Sequence, residues 1–427
     1  MATTTKLAVR QQLIYSVFVR NHTKAGTFQA LEADLPRIKA LGTDYVWLLP
    51  IHPIGVTKRK GDLGSPYAIK DYRAINPEYG SMADFEHLVD AIHAQGMKVM
   101  LDVVYNHTSP DSVLATSHPE WFYQNADGSL RNKVGDWSDV ADLDYRQHDL
   151  WAYQIDTLTY WAQFVDGYRC DVAPLVPTAF WEAARDAVAQ VKPDFLWLAE
   201  SAGDDFIAEL RHQGYFAASD GEIFNAFDIS YDYDVYGLWQ DVINGKAPLR
   251  DYVAALTHQD VAFPANYAKL RFLENHDQER AHGQIENIAQ LKAWLAFSYF
   301  ERGTTLLYAG EEFGLRHTPS LFTKDTLATT PEVDLTTYLQ TLQPLLRHPL
   351  READDYQLTS AGHDDVLVVS YTRDDHALIG IFPVMGQAAN VPVALADGDY
   401  RDFLSGQTVA VVDGMVGVHA TSMVLES

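Results

Sequence analysis

The sequence predicts an α/β protein: a closed (β/α)8 TIM barrel with a small inserted subdomain after its third strand and a C-terminal antiparallel β-domain. Short apolar runs alternate with amphipathic helical stretches from about residue 13 to residue 350. A long polar segment interrupts this alternation, and from about residue 351 the pattern changes to short strands with period-two alternation. The predicted domains are therefore a barrel formed by 1–107 and 146–350, an insertion formed by 108–145, and a C-terminal β-sandwich formed by 351–427.

Eight apolar runs are the predicted barrel strands, the number that closes a (β/α)8 barrel. The stretches between them have apolar residues at three- and four-residue intervals, as in 27–42, where Gly42 is a predicted C-cap, and in 81–96. Such helical crossovers favour a parallel sheet with the helices outside it. In chain order the predicted strands are 13–20, 44–50, 98–107, 165–173, 196–201, 224–230, 269–275 and 304–310.

Two segments do not follow this alternation of strands and helices. The insertion 108–145 contains the turn signals "SPDS", "NADGS" and "KVGDWSD", which predict a lid or small subdomain over one mouth of the barrel. The C-terminal segment contains "DVLVVSYT", "HALIGIF" and "QTVAVV", separated by turn signals such as "VDG". This pattern predicts a small antiparallel β-domain.

The composition restricts the classes of partner. With 58 acidic and 32 basic residues the net charge is −26, which repels nucleic acid and anionic membranes and favours a neutral partner. The chain shows no signal-peptide pattern and no unbroken apolar segment of about eighteen residues, so we expect a cytoplasmic protein. Its single cysteine, Cys170, excludes an intramolecular disulfide and a thiolate metal cluster. The sequence gives no indication of the oligomeric state.

Acidic, amide and imidazole side chains follow several of the predicted strands. Because the carboxyl ends of parallel strands share one mouth of the barrel, we expect these side chains to converge there. A single one is readily explained as a solvated loop charge, but converging carboxylates repel one another and are retained when a function uses them. The third strand supplies Asp102, Asn106 and His107, the fourth Arg169 and Asp171, the fifth Glu200, and the seventh Glu274, His276 and Asp277.

The fourth predicted strand carries an arginine, a cysteine and an aspartate in "YRCD". Since side chains alternate along a strand, Arg169 and Asp171 point to one side and Cys170 to the other. The arginine keeps Asp171 ionised and fixes its orientation, as a nucleophile or a metal ligand requires. Cys170 is predicted to pack as a small apolar residue between the barrel and its helices, with a reactive thiol as the alternative.

Glycosidases typically cleave a glycosidic bond with two carboxyl groups, one ionised and one protonated. Asp171 has an arginine beside it in the sequence and Glu200 has none, so we predict that Asp171 is the nucleophile and Glu200 the acid/base with a raised pKa. Asp277 is a third acid, suited to stabilise positive charge on the sugar ring. A divalent-metal site built from the same acids is the alternative, which the lack of an HExxH pair or a close carboxylate cluster in the sequence disfavours.

These strand-end segments resemble the motifs of the α-amylase family of retaining α-glucoside hydrolases and transglycosylases. The similarity extends over nearly the whole chain, from the barrel through the insertion to the C-terminal β-domain. Four such motifs in order on the expected strands are highly specific. They are "DVVYNH" (102–107), "GYRCDVA" (167–173), "LAES" (198–201) and "FLENHD" (272–277), and "VADLDY" (140–145) is similar to a short motif near the end of the family's inserted domain.

The resemblance implies a role for each candidate site residue. Asp171 would attack the anomeric carbon, Glu200 would protonate the leaving oxygen and then activate water, and Asp277 would hold the distorted sugar. For Tyr67, His107 and His276, a purely structural role is the alternative. Arg169 is implied to orient Asp171, His107 and His276 to bind sugar hydroxyls, and Tyr67 in "GSPYAIKDY" to stack beneath the sugar.

The resemblance is incomplete at the family's structural calcium site. Asn106 matches a position that ligates calcium in many members, and calcium-binding members continue after the nucleophile to a Lys-His pair whose histidine carbonyl helps to hold the ion. This chain reads "VAPL" at 172–175 instead. We therefore expect that no cofactor is required. A structural calcium ion with Asn106 as a ligand is left open, as is a hydrogen bond from Asn106 to the backbone.

The predicted function is retaining hydrolysis of α-1,4-glucosidic bonds in maltooligosaccharides or other α-glucans, by double displacement through a covalent glucosyl-aspartate. A transglycosylase that uses the same intermediate is the first alternative, since it differs only in whether water or a sugar hydroxyl arrives second. A non-catalytic carbohydrate-binding protein is a remote alternative, because all three acids are present.

Overall fold

Eight parallel strands close a barrel in the computed structural model of the protein, which describes residues 5–353, 355–387 and 389–427. Consecutive strands are neighbours throughout, and the eighth strand lies beside the first. This order confirms the predicted (β/α)8 barrel. The strands are β1 (Leu13–Val17), β2 (Tyr45–Leu48), β3 (Lys98–Val103), β4 (Gly167–Cys170), β5 (Leu196–Ala199), β6 (Ile229–Tyr231), β7 (Lys269–Arg271) and β8 (Thr304–Tyr308).

The sixth strand begins later than the sequence predicts. The apolar run 224–230 predicts a strand, but only its last two residues belong to β6. Upstream, Ser219 and Glu222 form a reciprocal capping box that starts a short helix, and the chain leaves that helix through turns beginning at Phe224. The strand prediction over 224–228 is therefore wrong, because local capping outweighs the apolar pattern there.

The other seven strands all end earlier than predicted, and β3, β4 and β7 do so at places that matter for function. β3 ends at Val103, so "NH" at 106–107 follows the strand. β4 ends at Cys170, and two residues later Val172 takes a left-handed backbone conformation with φ of 36°. β7 ends at Arg271, so the polar residues 274–277 lie in a loop. Asp102 and Arg169 lie within β3 and β4, and most of the other candidate side chains are carried by short loops at the carboxyl ends of strands, where a parallel barrel places its active site.

Amphipathic helices connect the strands, as their spacing predicts. The helix after β2 begins at a capping box between Ser81 and Asp84 and buries Phe85. The stretch 27–42 forms two helices rather than one, because Pro36 starts a new helix. The α-helices are Val19–His22, Phe28–Glu32, Leu35–Ala40, Met82–Ala94, Val113–Ser117, His148–Trp161, Thr178–Val191, Asp204–His212, Asp220–Ile223, Tyr233–Ile243, Leu249–Ala262, Ala281–Gln284, Ile288–Phe300 and Thr336–Leu346.

The insertion after β3 has short elements of its own. His107–Thr108 pairs with Ala141–Asp142 in an antiparallel ladder, so the segment begins and ends at the same place. Between these two strands lie the helix Val113–Ser117 and a 3-10 turn at Pro119–Trp121. His107, a predicted site residue, therefore lies at the junction between the barrel and the insertion.

The C-terminal segment forms two antiparallel sheets that share one core. Ile379 and Ile381 of the first sheet and Val411 and Val416 of the second belong to the same buried cluster. This arrangement confirms the predicted antiparallel β-domain. The first sheet has the order β9 (Asp355–Ala361), β10 (Val366–Arg373), β11 (His376–Phe382), β16 (Met423–Glu426), and the second the order β12 (Ala389–Pro392), β15 (Met415–Val418), β14 (Thr408–Val412), β13 (Gly398–Arg401).

By packing, the chain divides into two compact units. The first contains Thr5, 14–231 and 319–328, and the second contains 6–13, 232–318 and 329–427. The boundaries 1–107, 108–145, 146–350 and 351–427 stay a prediction. Within the described residues, no helix is long and apolar enough to cross a membrane. A cytoplasmic location likewise stays a prediction.

Candidate active site

The buried guanidinium of Arg169 is the centre of the candidate active site. Arg169 lies on β4 and is inaccessible to solvent. Its Nη1 donates to Oδ1 of Asp102 at 3.0 Å and to Oδ1 of Asp171 at 2.9 Å. Its Nη2 lies 2.9 Å from Oε1 of Glu200. One planar guanidinium therefore holds three carboxyl groups, which come from three neighbouring strands and their ends.

The contact with Glu200 corrects the argument by which the sequence distinguishes the two predicted catalytic acids. In the sequence only Asp171 has an arginine beside it, but in the barrel the same arginine reaches both acids. The reason is strand pairing: Arg169 is in register with Asp102 on β3 and with Leu198 on β5, and Glu200 follows Leu198 by two residues. Proximity to an arginine therefore does not separate the nucleophile from the acid/base.

A left-handed turn after Asp171 directs a second donor at Glu200. Val172 has φ of 36° and ψ of 45°, a conformation that is costly for a β-branched residue. Its backbone N–H donates to Oε2 of Glu200 at 2.8 Å. Both oxygens of Glu200 are thus held, one by Arg169 and one by this amide. Strain of this kind is typical of functional sites, where the surrounding structure holds an unfavourable backbone in place.

Three aromatic side chains surround the Arg169 guanidinium. The hydroxyl of Tyr67 and the indole Nε1 of Trp47 donate to Oδ2 of Asp102 at 3.0 and 3.2 Å. Nε of Arg169 donates to the hydroxyl of Tyr231 at 3.2 Å. Trp47 and Tyr231 are not predicted from the sequence, because an aromatic residue in an apolar run is indistinguishable from an ordinary core residue. Alternation along β2 is the only signal that would have placed Trp47 inside the barrel.

The acids keep Arg169 charged in spite of its burial. Burial alone lowers the pKa of Arg169, but Asp102 and Glu200 raise it well above its ordinary value. One positive charge among three carboxyl groups leaves a negative surplus, which suits a substrate that develops positive charge. Cys170 is buried, and burial raises the pKa of its thiol well above the ordinary value, which argues against the reactive alternative.

His107 faces Asp171 as a neutral ring in one tautomer. Burial lowers the pKa of His107 to about 4. The ammonium of Lys133 can only donate, so the oxygen of the Asn106 amide faces it at 2.7 Å and the amide Nδ2 faces Nδ1 of His107 at 3.1 Å. The ring proton therefore lies on Nε2, which is 3.9 Å from Oδ2 of Asp171.

The insertion adds an aromatic wall beside His107. The ring centroids of His107 and Trp137 are 5.6 Å apart, and Phe206, in the helix after β5, lies 6.3 Å from Trp137. Trp137 lies in "KVGDWSD", which the sequence marks only as a turn, so its proximity to the site was not predicted. Aromatic faces beside polar groups suit a ligand that has both apolar and polar faces, as a sugar does.

His276 and Asp277 lie in the loop after β7, in the second compact unit. Nε2 of His276 is 3.1 Å from Oδ2 of Asp277, whose side chain is 42% exposed. Oδ1 of Asn275 accepts from the backbone N–H of Asp277 at 2.9 Å and so fixes the turn. Glu274 is buried and pairs with Arg280, which makes it an anchor of the loop rather than a group open to substrate.

The structure thus brings most of the predicted site residues into one cluster. Within the described ranges, no group of three or more His, Cys, Asp or Glu side chains is arranged to hold a metal ion. Asn106 lies beside the cluster, where it binds Lys133 and faces His107. The clustered residues are Tyr67, His107, Arg169, Asp171 and Glu200, whereas His276 and Asp277 pair with each other in the second unit.

Sequence profiles of known families match the chain from its first barrel strand to its C-terminal sheets. The α-amylase catalytic domain matches residues 14–137 and 115–362, and the bacterial α-amylase C-terminal domain matches residues 357–425. The protein belongs to the α-amylase family of glycoside hydrolases. Membership in this family confirms the resemblance carried by the strand-end motifs.

Solved structures of this family are similar to the chain over its length. An α-amylase from Lactobacillus plantarum is 53% identical with a TM-score of 0.97, covering 99% of this chain and 100% of that one. The noncanonic maltogenic α-amylase AmyB from Thermotoga neapolitana is 32% identical with a TM-score of 0.87, covering 98% and 99%. An α-1,4-glucan:maltose-1-phosphate maltosyltransferase from Myxococcus xanthus is 34% identical over 44% of this chain and 32% of its own length. The chain spans less than half the length of the first curated relatives that it matches.

Proposed function

We propose that the protein is a retaining hydrolase of α-1,4-glucosidic bonds in maltooligosaccharides and other α-glucans. The observation that carries this proposal is that Asp171 and Glu200 bind the two Nη atoms of one guanidinium. Their carboxyl groups are thereby close together, which favours the separation of about 5 Å of retaining glycosidases over the wider spacing that admits a water molecule. The relatives described as an α-amylase and a maltogenic α-amylase support an α-glucan substrate.

The division of roles between the two acids rests on the motifs, since Arg169 contacts both. "GYRCDVA" assigns the nucleophile to Asp171 and "LAES" assigns the acid/base to Glu200. In the first step an oxygen of Asp171 attacks the anomeric carbon, and the bond from that carbon to the glycosidic oxygen breaks. Glu200 gives its proton to the departing oxygen, and a β-glucosyl ester of Asp171 remains.

The second step returns both acids to their starting states. Glu200, now ionised, accepts a proton from water, and the water oxygen attacks the anomeric carbon and displaces Asp171. Two inversions leave the product in the α configuration. The Val172 N–H, at 2.8 Å from Oε2, keeps the carboxyl group of Glu200 in one place while its proton leaves and returns.

Other side chains of the cluster are suited to hold the sugar. Nε2 of neutral His107 lies 3.9 Å from Oδ2 of Asp171, beside the position of the sugar that Asp171 would attack. Tyr67 has its hydroxyl tied to Asp102, so its ring is fixed as a stacking surface. The roles proposed for His276 and Asp277, binding of hydroxyls and stabilisation of the distorted sugar, rest on the resemblance of "FLENHD".

Transfer of the glucosyl group to a second sugar is the alternative. The maltosyltransferase relative favours it, because transfer and hydrolysis share the first step and differ only in the group that attacks the ester. A hydrolase admits water at that point, whereas a transferase holds a sugar hydroxyl there. The shape of the acceptor side sets the ratio between the two reactions.

The test is to incubate the protein with maltotriose through maltoheptaose and to follow product length and anomeric configuration by NMR from the first minutes. We expect shorter products that appear first as the α-anomer. Products longer than the substrate would support transfer instead of hydrolysis. Initial release of the β-anomer would contradict the retaining mechanism, and no turnover of any of these substrates would contradict the proposed substrate class.

A further inference from the structure

The insertion places a lysine ammonium in the interior, at its junction with the barrel. The side chain of Lys133 is only 4% exposed. Its Nζ donates to Oδ1 of Asn106 at 2.7 Å and to the carbonyl oxygen of Leu175 at 3.4 Å, and it lies 4.0 Å from Oδ2 of Asp142. The ring of Tyr123 is 5.5 Å away. The ammonium is therefore surrounded by oxygens from the segment after β3, the turn after β4 and the insertion.

These oxygens lie where the family resemblance implies calcium. Asn106 matches the calcium-ligating position, and Leu175 stands where calcium-binding members have the histidine whose carbonyl helps to hold the ion. A calcium ion requires six to eight oxygens at about 2.3–2.6 Å. Here the Asn106 oxygen is bound to an ammonium, and the oxygens of Asp142 accept from Nδ2 of Asn106 at 3.3 Å and from the backbone N–H of Lys133 at 2.8 Å. Calcium does not fit beside the lysine cation in this set of contacts.

We propose that Lys133 is the structural cation of this protein: its ammonium takes the place of a bound calcium ion and joins the insertion to the barrel, so that the fold needs no divalent metal. The chemistry of an ammonium suits this place, because it offers donors only and every polar neighbour presents an oxygen. The backbone N–H of Lys133 donates to Oδ2 of Asp142, which fixes the backbone position from which the lysine side chain extends. A cation attached to the chain cannot be removed by a chelator.

A second lysine in the same region provides a matched comparison. Nζ of Lys60 lies 3.0 Å from Oδ1 of Asp139 and 3.1 Å from the carbonyl oxygen of Asp136, so it also links the loop after β2 to the insertion. Its side chain is 38% exposed, in contrast to Lys133. Exposed ion pairs contribute little to stability, because water screens them. The proposal therefore predicts that Lys133 matters far more than Lys60.

The first experiment measures the calcium dependence of the unaltered protein. We expect its Tm to stay within about 1 °C in excess EDTA and in millimolar Ca²⁺, since no stabilising ion is bound or lost. After dialysis, elemental analysis is expected to find far less than one calcium per chain. A Tm that falls by about 5 °C or more in EDTA and recovers with Ca²⁺ would overturn the proposal.

The second experiment compares Lys133→Met with Lys60→Met, which remove the charge and keep the length of the side chain. We expect Lys133→Met to lower Tm by about 5 °C or more, because it leaves buried oxygens without their cation, and Lys60→Met by about 1 °C at most. Equal Tm values for the two variants would contradict the proposal. If Lys133→Met yields no folded protein, the chelation experiment still tests whether the fold needs a divalent metal. Neither measurement uses activity on glucans, so the outcome is independent of the proposed function.

Discussion

Arg169 and Arg271 are both buried on barrel strands, but the acids around them are arranged differently. Three acids share the single positive charge of Arg169. Arg271 on β7 pairs with Asp232 at 2.7 Å and with Glu301 at 3.3 Å, and it donates to the amide oxygen of Gln259 at 3.0 Å. The remaining members of this second network are Lys269 and Asp234, which pair at 2.8 Å.

The difference shows that a buried arginine among acids does not by itself mark an active site. The acids around Arg169 come from the ends of three neighbouring strands, where parallel barrels carry their chemistry. The partners of Arg271 include Gln259 on the helix Leu249–Ala262 and Glu301 just before β8, so this network ties a strand to its surrounding layer. Counted as groups, two cations face three acids there, against one cation for three acids at Arg169. The higher ratio of acid to cation around Arg169 is consistent with the proposed catalytic role, whereas the contacts of Arg271 with a helix and with the segment before β8 suit a structural role.

Replacing one acid in each network is expected to give the largest difference between the two networks, because one variant loses activity and the other loses stability. We predict that Asp171→Asn lowers kcat/KM on maltooligosaccharides by at least about 10⁴-fold with little change in Tm, because it removes the nucleophile and keeps the shape. Asp232→Asn should keep kcat/KM within about threefold and lower the stability instead. Steady-state kinetics and thermal unfolding of both variants test this. Near-normal turnover by Asp171→Asn in a preparation free of unaltered enzyme would refute the assignment.

Glu200→Gln distinguishes the proposed role of Glu200 from that of Asp171, the other proposed catalytic acid that contacts Arg169. We predict a loss of about 10³-fold on maltooligosaccharides, since the leaving oxygen no longer receives a proton. An aryl α-glucoside with an acidic leaving group should suffer a much smaller loss in its glycosylation step, because its leaving group needs little protonation. The rates of both substrates, measured in single turnovers, give the comparison. Equal losses on the two substrates would argue against the acid role.

Removal of Arg271 tests the structural network. We predict that Arg271→Met costs about 3–5 kcal/mol of unfolding free energy, because it leaves buried carboxyl groups without their cation, while the folded fraction keeps its activity within about twofold. Arg302→Met is the matched control: Arg302 pairs with Asp260 at 2.8 Å in a more exposed position and should cost about 1 kcal/mol or less. Denaturant unfolding measures both, and similar costs would contradict this account.

His52 belongs to neither network and gives the smallest expected effect. Burial lowers the pKa of His52 to about 4, whereas an unfolded histidine titrates near pH 6.5. As the pH falls from 6.5 to 4 the unfolded chain takes up this proton first, so stability is lost in that window and not above it. We predict that, between pH 7 and pH 4.5, the free energy of unfolding falls by about 2–3 kcal/mol more in the unaltered protein than in His52→Gln. Denaturant unfolding of both proteins at each pH measures the difference, and equal losses in the two would contradict this account.

Local geometry explains which parts of the site could be predicted. Arg169 and Asp171 lie two residues apart on one strand, and their predicted common side agrees with the hydrogen bond of 2.9 Å. The sharing of Arg169 with Glu200 was not predictable, because it depends on the register between β4 and β5. Lys133 lies in a segment without periodicity, so nothing in its sequence context indicates that its ammonium is buried.

The sequence by itself determined the fold class and the chemistry available at the strand ends. Alternating apolar runs and helical stretches predict the barrel, because burial and backbone hydrogen bonding leave few other solutions. Only the tertiary structure decided which groups meet: that Arg169 binds three acids, that Val172 holds Glu200, and that the insertion brings a cation against Asn106. The physical reason is that these contacts join residues far apart in the chain, so strand register and loop path set them rather than local pattern.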